Sequence, residues 1–363
     1  MRRFIFVCLC TALMGTSHVG FAQTRSIYSN LANPSIGFNL LFSGQVAPDL
    51  NKPYGPRFDE GEISLISVVD PYWTLRSNIV FAPDGVDPEE VWVETDRIPS
   101  IGIRLGKLRA RFGRHALLHT HAFPFIQAPV IMANTIGVEG FKDAGVEASW
   151  LTPFPWFSEL TAGVYQAVDP SDDNPLDFGS SNHSNIPYLG HFKNLVDVND
   201  ETTMEIGVSF LQGRGTDGHR HSAFGGDLTF RNVPLRNSNR RGWILQTEYI
   251  EKGMYMNGNY QQESHGGYVS FQYRLSQVWW TGIRGERAWD SHTDVLVNPA
   301  GQPLMGTVTR GSANIAWTPS EFSYLRIEYS YARADDGAGF KPKDQRIMLE
   351  TSYTVGYHPS HAY

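Results

Sequence analysis

Apolar side chains recur at every second position in segment after segment of this chain. Met204, Ile206, Val208 and Phe210 share one face while Glu205, Gly207 and Ser209 share the other. Val269, Phe271, Tyr273 and Leu275 oppose Ser270, Gln272 and Arg274, and Leu325, Ile327, Tyr329 and Tyr331 oppose Arg326, Glu328 and Ser330. Near the C-terminus Ile347, Leu349, Tyr353, Val355, Tyr357 and Tyr363 fall in one phase. A period of two marks strands with one oily and one wet face. About sixteen such segments, with fourteen as the alternative count, are predicted between Ser35 and Tyr363.

Their connections alternate in length. Short turns are expected at Asp70-Pro71, Arg97 to Ser100, Thr152 to Trp156, Asp197 to Glu201, Leu275 to Gln277 and Thr318 to Phe322. Longer polar loops are expected at Ala47 to Gly61, Asp169 to Asn185, Gly253 to His265, Trp289 to Gly306 and Ala334 to Lys343. Asn232 to Arg241 breaks the rhythm, being long where a short turn is due. Short turns on one side and long loops on the other belong to an all-β, transmembrane, antiparallel up-and-down barrel. A soluble sandwich has no reason to alternate its loops in this way. Closing the sheet removes unpaired edges, which hydrocarbon does not tolerate. Trp150, Trp156, Trp279, Trp280, Trp317, Tyr324 and Tyr357 gather beside the short turns, where an interfacial girdle would lie.

Residues 1–22 read as a secretory signal: Arg2 and Arg3, then the apolar Phe4 to Met14, then Gly20-Phe21-Ala22 as the cleavage site. Both cysteines fall within it, which removes disulfide scaffolds and thiolate metal sites from consideration. Without those two arginines the balance is 28 basic against 37 acidic residues, the wrong sign for a nucleic-acid partner. No later stretch approaches the ~18 consecutive apolar residues of a spanning helix. Residues 23–363 carry no linker or low-complexity tract, so one barrel domain is predicted.

If the oily faces meet lipid, the opposite faces line a pore. They carry Glu147, Glu205, Asp227, Arg231, Glu248, Arg274, Arg284, Glu286, Arg310, Arg326, Glu328 and Glu350. Arg284-x-Glu286 and Arg326-x-Glu328 place opposite charges on one face, the ingredients of a transverse field in a water-filled channel. In the fifth strand the phase slips at Gly106, the mark of a bulge. Leu108, Ala110 and Phe112 then resume the oily face. Arg104, Lys107, Arg109 and Arg111 are left inside, with Arg114 at the end. This basic track either attracts anions or balances acidic neighbours. The longest connection follows, residues 113–142, the third outer loop. Its run Ala122-Phe123-Pro124-Phe125-Ile126-Gln127-Ala128-Pro129-Val130-Ile131-Met132 is too apolar for an exposed or disordered segment. It is expected to fold inward and constrict the pore. His115, His119 and His121 precede that run and are the candidate metal ligands, with zinc as the candidate ion. His219, His221, His358 and His361 lie near strand ends.

Several of these segments resemble a known family. The carriers are Val69-Asp70-Pro71-Tyr72, Glu89-Glu90-Val91-Trp92-Val93, Gly106 to Arg114, His119 to Pro129, and Gly140 to Leu151 with Asp143-Ala144-Gly145-Val146. Across Val69 to Pro155 they resemble a group of Gram-negative outer-membrane proteins sometimes labelled zinc-regulated outer-membrane receptors. More distantly they are similar to phosphate-selective and carbohydrate porins. The receptor label implies an N-terminal plug, which strands beginning near Ser35 leave no room for, so the open-porin branch is the better match. The resemblance implies a passive channel for small polar or anionic solutes in the cell outer membrane, and not an enzyme, since no motif selects a nucleophile. The alternative is a plug-less metal-linked (zinc) or ligand-binding receptor. Expected partners are outer-membrane lipid and lipopolysaccharide, small solutes, and the barrel-assembly machinery through the strand ending at Tyr363. The resemblance implies a homotrimer.

Overall fold

A computed structural model describes residues 34–47, 55–167, 175–179, 186–234, 241–291 and 305–356. The signal segment, Tyr357, His358, His361 and Tyr363 lie outside these. In chain order the strands are β1 (Ser35–Val46), β2 (Gly55–Val68), β3 (Thr74–Ala82), β4 (Gly85–Ile98), β5 (Ile101–Arg109), β6 (Lys142–Leu151), β7 (Phe157–Tyr165) and β8 (Tyr188–Asn199). The second half holds β9 (Thr202–Arg214), β10 (Arg220–Asn232), β11 (Trp243–Met256), β12 (Asn259–Arg274), β13 (Trp279–Ser291), β14 (Gly306–Ser320), β15 (Ser323–Asp335) and β16 (Lys343–Gly356). Each pairs antiparallel with its sequence neighbours, and β1 pairs with β16, so the sheet closes. At that seam Asn39 Nδ2 donates to Ser352 Oγ at 2.8 Å and Thr354 Oγ1 at 2.7 Å, a polar clasp on the inner face.

The alternation read from the sequence places side chains as expected in most strands. Val208 (58% exposed), Ile283 (60%) and Val355 (70%) project outward, while Ser209, Arg284 and Ser352 are buried inside. The turn at Asp70-Pro71 is tight because Asp70 Oδ1 accepts the N–H groups of Tyr72 and Trp73 at 2.7 and 2.9 Å. Two expected loops are shorter than their sequences suggested. Gly253 to His265 is almost wholly strand, turned at Asn257-Gly258 with φ of 51° and 83°. Those positive angles suit an Asn-Gly hairpin turn, a signal outweighed by the polar flanks. The loop from Ala47 ends early, since β2 begins at Gly55.

Among the girdle candidates Trp150, Trp156, Trp279 and Trp317 are exposed on the outside, Trp156 stacked on Phe154 with centroids 5.0 Å apart. Trp280 and Tyr324 correct the expectation, because strand parity turns both inward. Trp280 pairs with Ala316 of the inner face and lies 5.5 Å from the Arg274 guanidinium, while Tyr324 pairs with buried Ser352.

The fifth strand gives the largest correction. Its ladders to β4 and β6 run through Gly106 with no shift, so no bulge resets the phase there. Gly106 instead adopts a φ of 144°, and its missing Cβ admits Trp92 Cα. Lys107 therefore stays on the side of Leu105, half exposed and paired with Asp87 at 3.0 Å. Leu108, Ala110 and Phe112 do not reach lipid: all three are fully buried inside. The chain leaves the wall after Arg109 and carries them into the lumen.

Residues 110–141 fill that space. They form two short 3-10 turns (His115–Leu117 and Thr120–Ala122) and one helical turn, α1 (Val130–Thr135). Phe112, Ile131, Met132 and Phe141 build an apolar core against Leu189, Leu211 and Ile250 of the wall and Leu176 and Phe178 of the next outer connection. The apolar run thus finds an apolar patch on an otherwise polar inner face, and burying both removes surface from water at about 25 cal/mol per Å².

Candidate functional site: the loop across the lumen

The loop enters through a closed neck. Ala110 N–H donates to Phe141 O at 2.8 Å, and Gly113 turns the chain inward with a φ of 63° that favours glycine. Beyond it, several backbone N–H groups that the loop's own short turns leave over are taken by wall side chains. Ser209 Oγ on β9 accepts from Gly113 at 2.8 Å. Glu248 on β11 accepts from Arg114 at 3.1 Å and His115 at 3.2 Å. Glu328 on β15 accepts from Ile126 at 2.7 Å, and Glu286 on β13 from Val130 at 2.6 Å. Donors reach the loop carbonyls in turn: Arg310 to Ala128, Asn314 Nδ2 to Pro124 at 2.8 Å, and Tyr324 Oη to His121 at 3.0 Å. The loop is clamped at many points to the β9–β15 side.

The charged residues expected to set a field are largely occupied in this clamp. Arg284 pairs with Glu286 at 3.1 Å and lies 4.6 Å from the Phe125 ring; Arg310 shares the same Glu286 oxygen at 2.7 Å. Arg326 pairs with Glu350 at 3.2 Å rather than with Glu328. The basic track is matched by acids, the second of its two readings. Arg104 pairs with Glu147, Arg111 with Glu159 at 3.3 Å, and Arg109 with Glu89 at 3.2 Å and Glu90 at 3.7 Å. Arg274 alone of the set stands at the short-turn end, donating to the carbonyls of Ser276 at 3.2 Å and Gln277 at 2.7 Å. The role of carboxylates as acceptors for a loop backbone was missed, because a sequence shows charge but not which peptide groups lack partners.

The three histidines do not converge. His115 packs on Phe123, centroids 4.4 Å apart, and beside Tyr268 at 6.3 Å. Burial, aided by Arg284, pushes its pKa down to about 3, so it is neutral. His119 and His121 stack 5.8 Å apart against the opposite wall. There His119 Nδ1 lies 3.3 Å from both Glu62 Oε2 and Glu89 Oε2, and Nε2 lies 3.4 Å from Glu90 Oε2. Burial and Arg109 oppose its protonation, but the carboxylates outweigh them and lift its pKa to about 10. Of the outer pair, His221 Nε2 meets Asp217 at 3.1 Å.

Below the loop, toward the short turns, a cavity of ≈ 870 Å³ opens. Arg114, Arg231, Arg274 and Arg326 line it, with Glu321 the single carboxylate in the lining among the described residues.

A closed sixteen-strand barrel whose lumen is crossed by its third outer loop can then be set beside known proteins. The profile of the family described as "Putative beta-barrel porin-2, OmpL-like" matches residues 145–356. The chain belongs to this porin family. It is an outer-membrane channel for passive diffusion, and its strands are the membrane-crossing elements. An uncharacterised protein of Aquifex aeolicus (strain VF5) is 26% identical over 389 residues, spanning 97% of the porin and 79% of that relative. Solved structures share the fold at low identity. OprB of Pseudomonas putida superposes with a TM-score of 0.61 at 9% identity, covering 89% of this chain and 94% of its own. DcaP, an outer membrane channel of Acinetobacter baumannii, gives 0.58 at 11%, covering 90% and 98%. An anion-selective porin from Comamonas acidovorans gives 0.58 at 9%, covering 89% and 99%.

Proposed function

We propose that this porin passes small polar solutes with a preference for anions, and that the arginine-lined cavity beneath the loop carries that preference. Arg231 and Arg274 bring positive charge to this confined aqueous space and raise the local concentration of small anions there, while Arg114 and Arg326, which also line it, are paired with Glu205 at 2.7 Å and Glu350 at 3.2 Å. The loop of residues 110–141 limits solute size, because it is anchored on both sides of the lumen. The track Arg104 to Arg111 contributes little, since acids within ion-pair distance offset it. Reversal potentials across a planar bilayer with a KCl gradient test this. Arg231→Gln with Arg274→Gln should shift the reversal potential toward cation preference, and Lys107→Gln should leave it in place. An unchanged potential in the double variant refutes the assignment. A homotrimer is also proposed, since OmpT of Vibrio cholerae was solved in a trimer form; native mass spectrometry of the detergent-extracted protein would count the chains.

A further inference from the structure

Where the loop meets β2 and β4, the donor atoms form a set with a geometry of its own. Glu62 Oε2 and Glu89 Oε2 each lie 3.3 Å from His119 Nδ1. These three atoms all fall within 4.8 Å of one another, and His121 Nδ1 stands 3.6 Å from Glu62 Oε2. A tetrahedral zinc-class ion with bonds of about 2.0–2.1 Å spaces its donors about 3.3 Å apart. One or two imidazoles with carboxylate oxygens suit such a borderline divalent cation better than calcium or magnesium, which take oxygen alone.

Two further observations point the same way. Glu62 is only 2% exposed and Ser64 Oγ donates to its Oε1 at 2.8 Å, while its buried Oε2 makes no well-formed hydrogen bond and has the two imidazoles, at 3.3 and 3.6 Å, as its ion-pair neighbours. A buried carboxylate oxygen left so is costly unless a cation claims it. The charge around it is also unbalanced. Glu62, Glu89, Glu90 and Glu139 gather there, against Arg109, Lys142 and the His119 imidazolium. Arg109 Nη2 approaches both Glu89 Oε2 at 3.2 Å and His119 Nδ1 at 3.4 Å, so it borders the set without filling the side toward Glu62.

We propose that Glu62, Glu89 and His119, with His121 as a fourth donor, bind one zinc-class divalent cation that pins the loop to the β2–β4 wall. This attachment faces the carboxylate clamps on β11, β13 and β15, so the ion would tie the loop across the full width of the lumen. His115 takes no part, being packed against Phe123 and Tyr268 instead.

The test uses the full chain in detergent, stripped with a chelator and titrated with zinc chloride by calorimetry. Wild type should take up one ion per chain at micromolar affinity or better. His119→Ala and Glu62→Gln should each weaken this at least tenfold, whereas His219→Ala with His221→Ala should not. Zinc X-ray absorption on the wild type should show a nitrogen/oxygen shell containing at least one imidazole, a readout that stands even if a variant misfolds. No stoichiometric uptake, uptake unchanged in His119→Ala, or a shell without imidazole overturns the proposal and leaves the cluster as an ion-pair clamp.

Discussion

Glu248 offers the most direct way to unseat the loop without touching it. Its carboxylate accepts three hydrogen bonds: from Arg114 N–H at 3.1 Å, His115 N–H at 3.2 Å and Tyr268 Oη at 3.0 Å. Glu248→Gln replaces one oxygen by an amide that can only donate, and the three groups facing it are themselves donors. At least one bond is lost and one buried donor is left facing another. With hydrogen bonds to charged groups worth about 1.5–3 kcal/mol and an orphaned buried donor costing about 1–3 kcal/mol, the seated loop should lose about 2–5 kcal/mol. A factor of ten accompanies each 1.4 kcal/mol, so the unseated fraction should rise by roughly 30-fold to several thousand-fold. The remaining anchors at Glu286 and Glu328 should keep the barrel folded. In planar bilayers the variant should show larger, noisier unit conductance than wild type, and limited proteolysis should cut within residues 110–141. Identical conductance histograms together with an unchanged digestion pattern would refute the reading of this loop as a clamped constriction.

Truncating the core inside the lumen should be costly. Phe112→Ala should lower stability by about 3–5 kcal/mol, read as a fall in melting temperature in detergent, whereas lipid-facing Val208→Ala should cost far less. Gly113→Ala should reproduce the Glu248→Gln phenotype, because its Cβ would meet the Glu248 carboxylate and its φ of 63° disfavours any side chain. Acid should loosen the seat through His115. With the seated pKa held down to about 3 against about 6.5 when released, the released state binds more protons as pH falls between those values, and stability drops in that window. The groups facing this imidazole are Arg284 and Glu286 of β13, Arg109 of β5, Glu139 of the loop, Tyr268 of β12 and Glu248 of β11. His115→Phe should shrink the increase in opening between pH 7 and pH 4, and an unaltered response would exclude His115 as its source.

The barrel was legible because lipid imposes a simple rule on each strand: Val208, Ile283 and Val355 must be apolar and their neighbours need not be. The rule fails where a residue faces neither lipid nor water. Leu108, Ala110 and Phe112 are as oily as any lipid-facing trio, and only the fold reveals that they serve a core within the lumen. Trp280 and Tyr324 fail similarly, since aromatic type suggested the girdle while parity put them inside. The inward loop was readable from its apolar run. Its clamps were not, because the carboxylates of Glu248, Glu286 and Glu328 are separated in sequence from the peptide N–H groups that they hold. The histidine triplet was legible only in part: His119 and His121 share the wall that carries Glu62 and Glu89, while His115 turns to the opposite one.

The apolar core beneath the loop also bears on the order in which the molecule can be made. Phe112, Ile131 and Met132 precede in the chain the strands β8, β9 and β11 that bury them. The acceptors that hold the loop backbone also follow it in the chain, on β9, β11, β13 and β15. Until those strands are in place the loop is an unsatisfied, sticky segment, and once β1 has joined β16 it can no longer be admitted from the side. The loop can therefore be fully seated only after β15 has joined the sheet, which makes the narrowed lumen one of the last features of the channel to form.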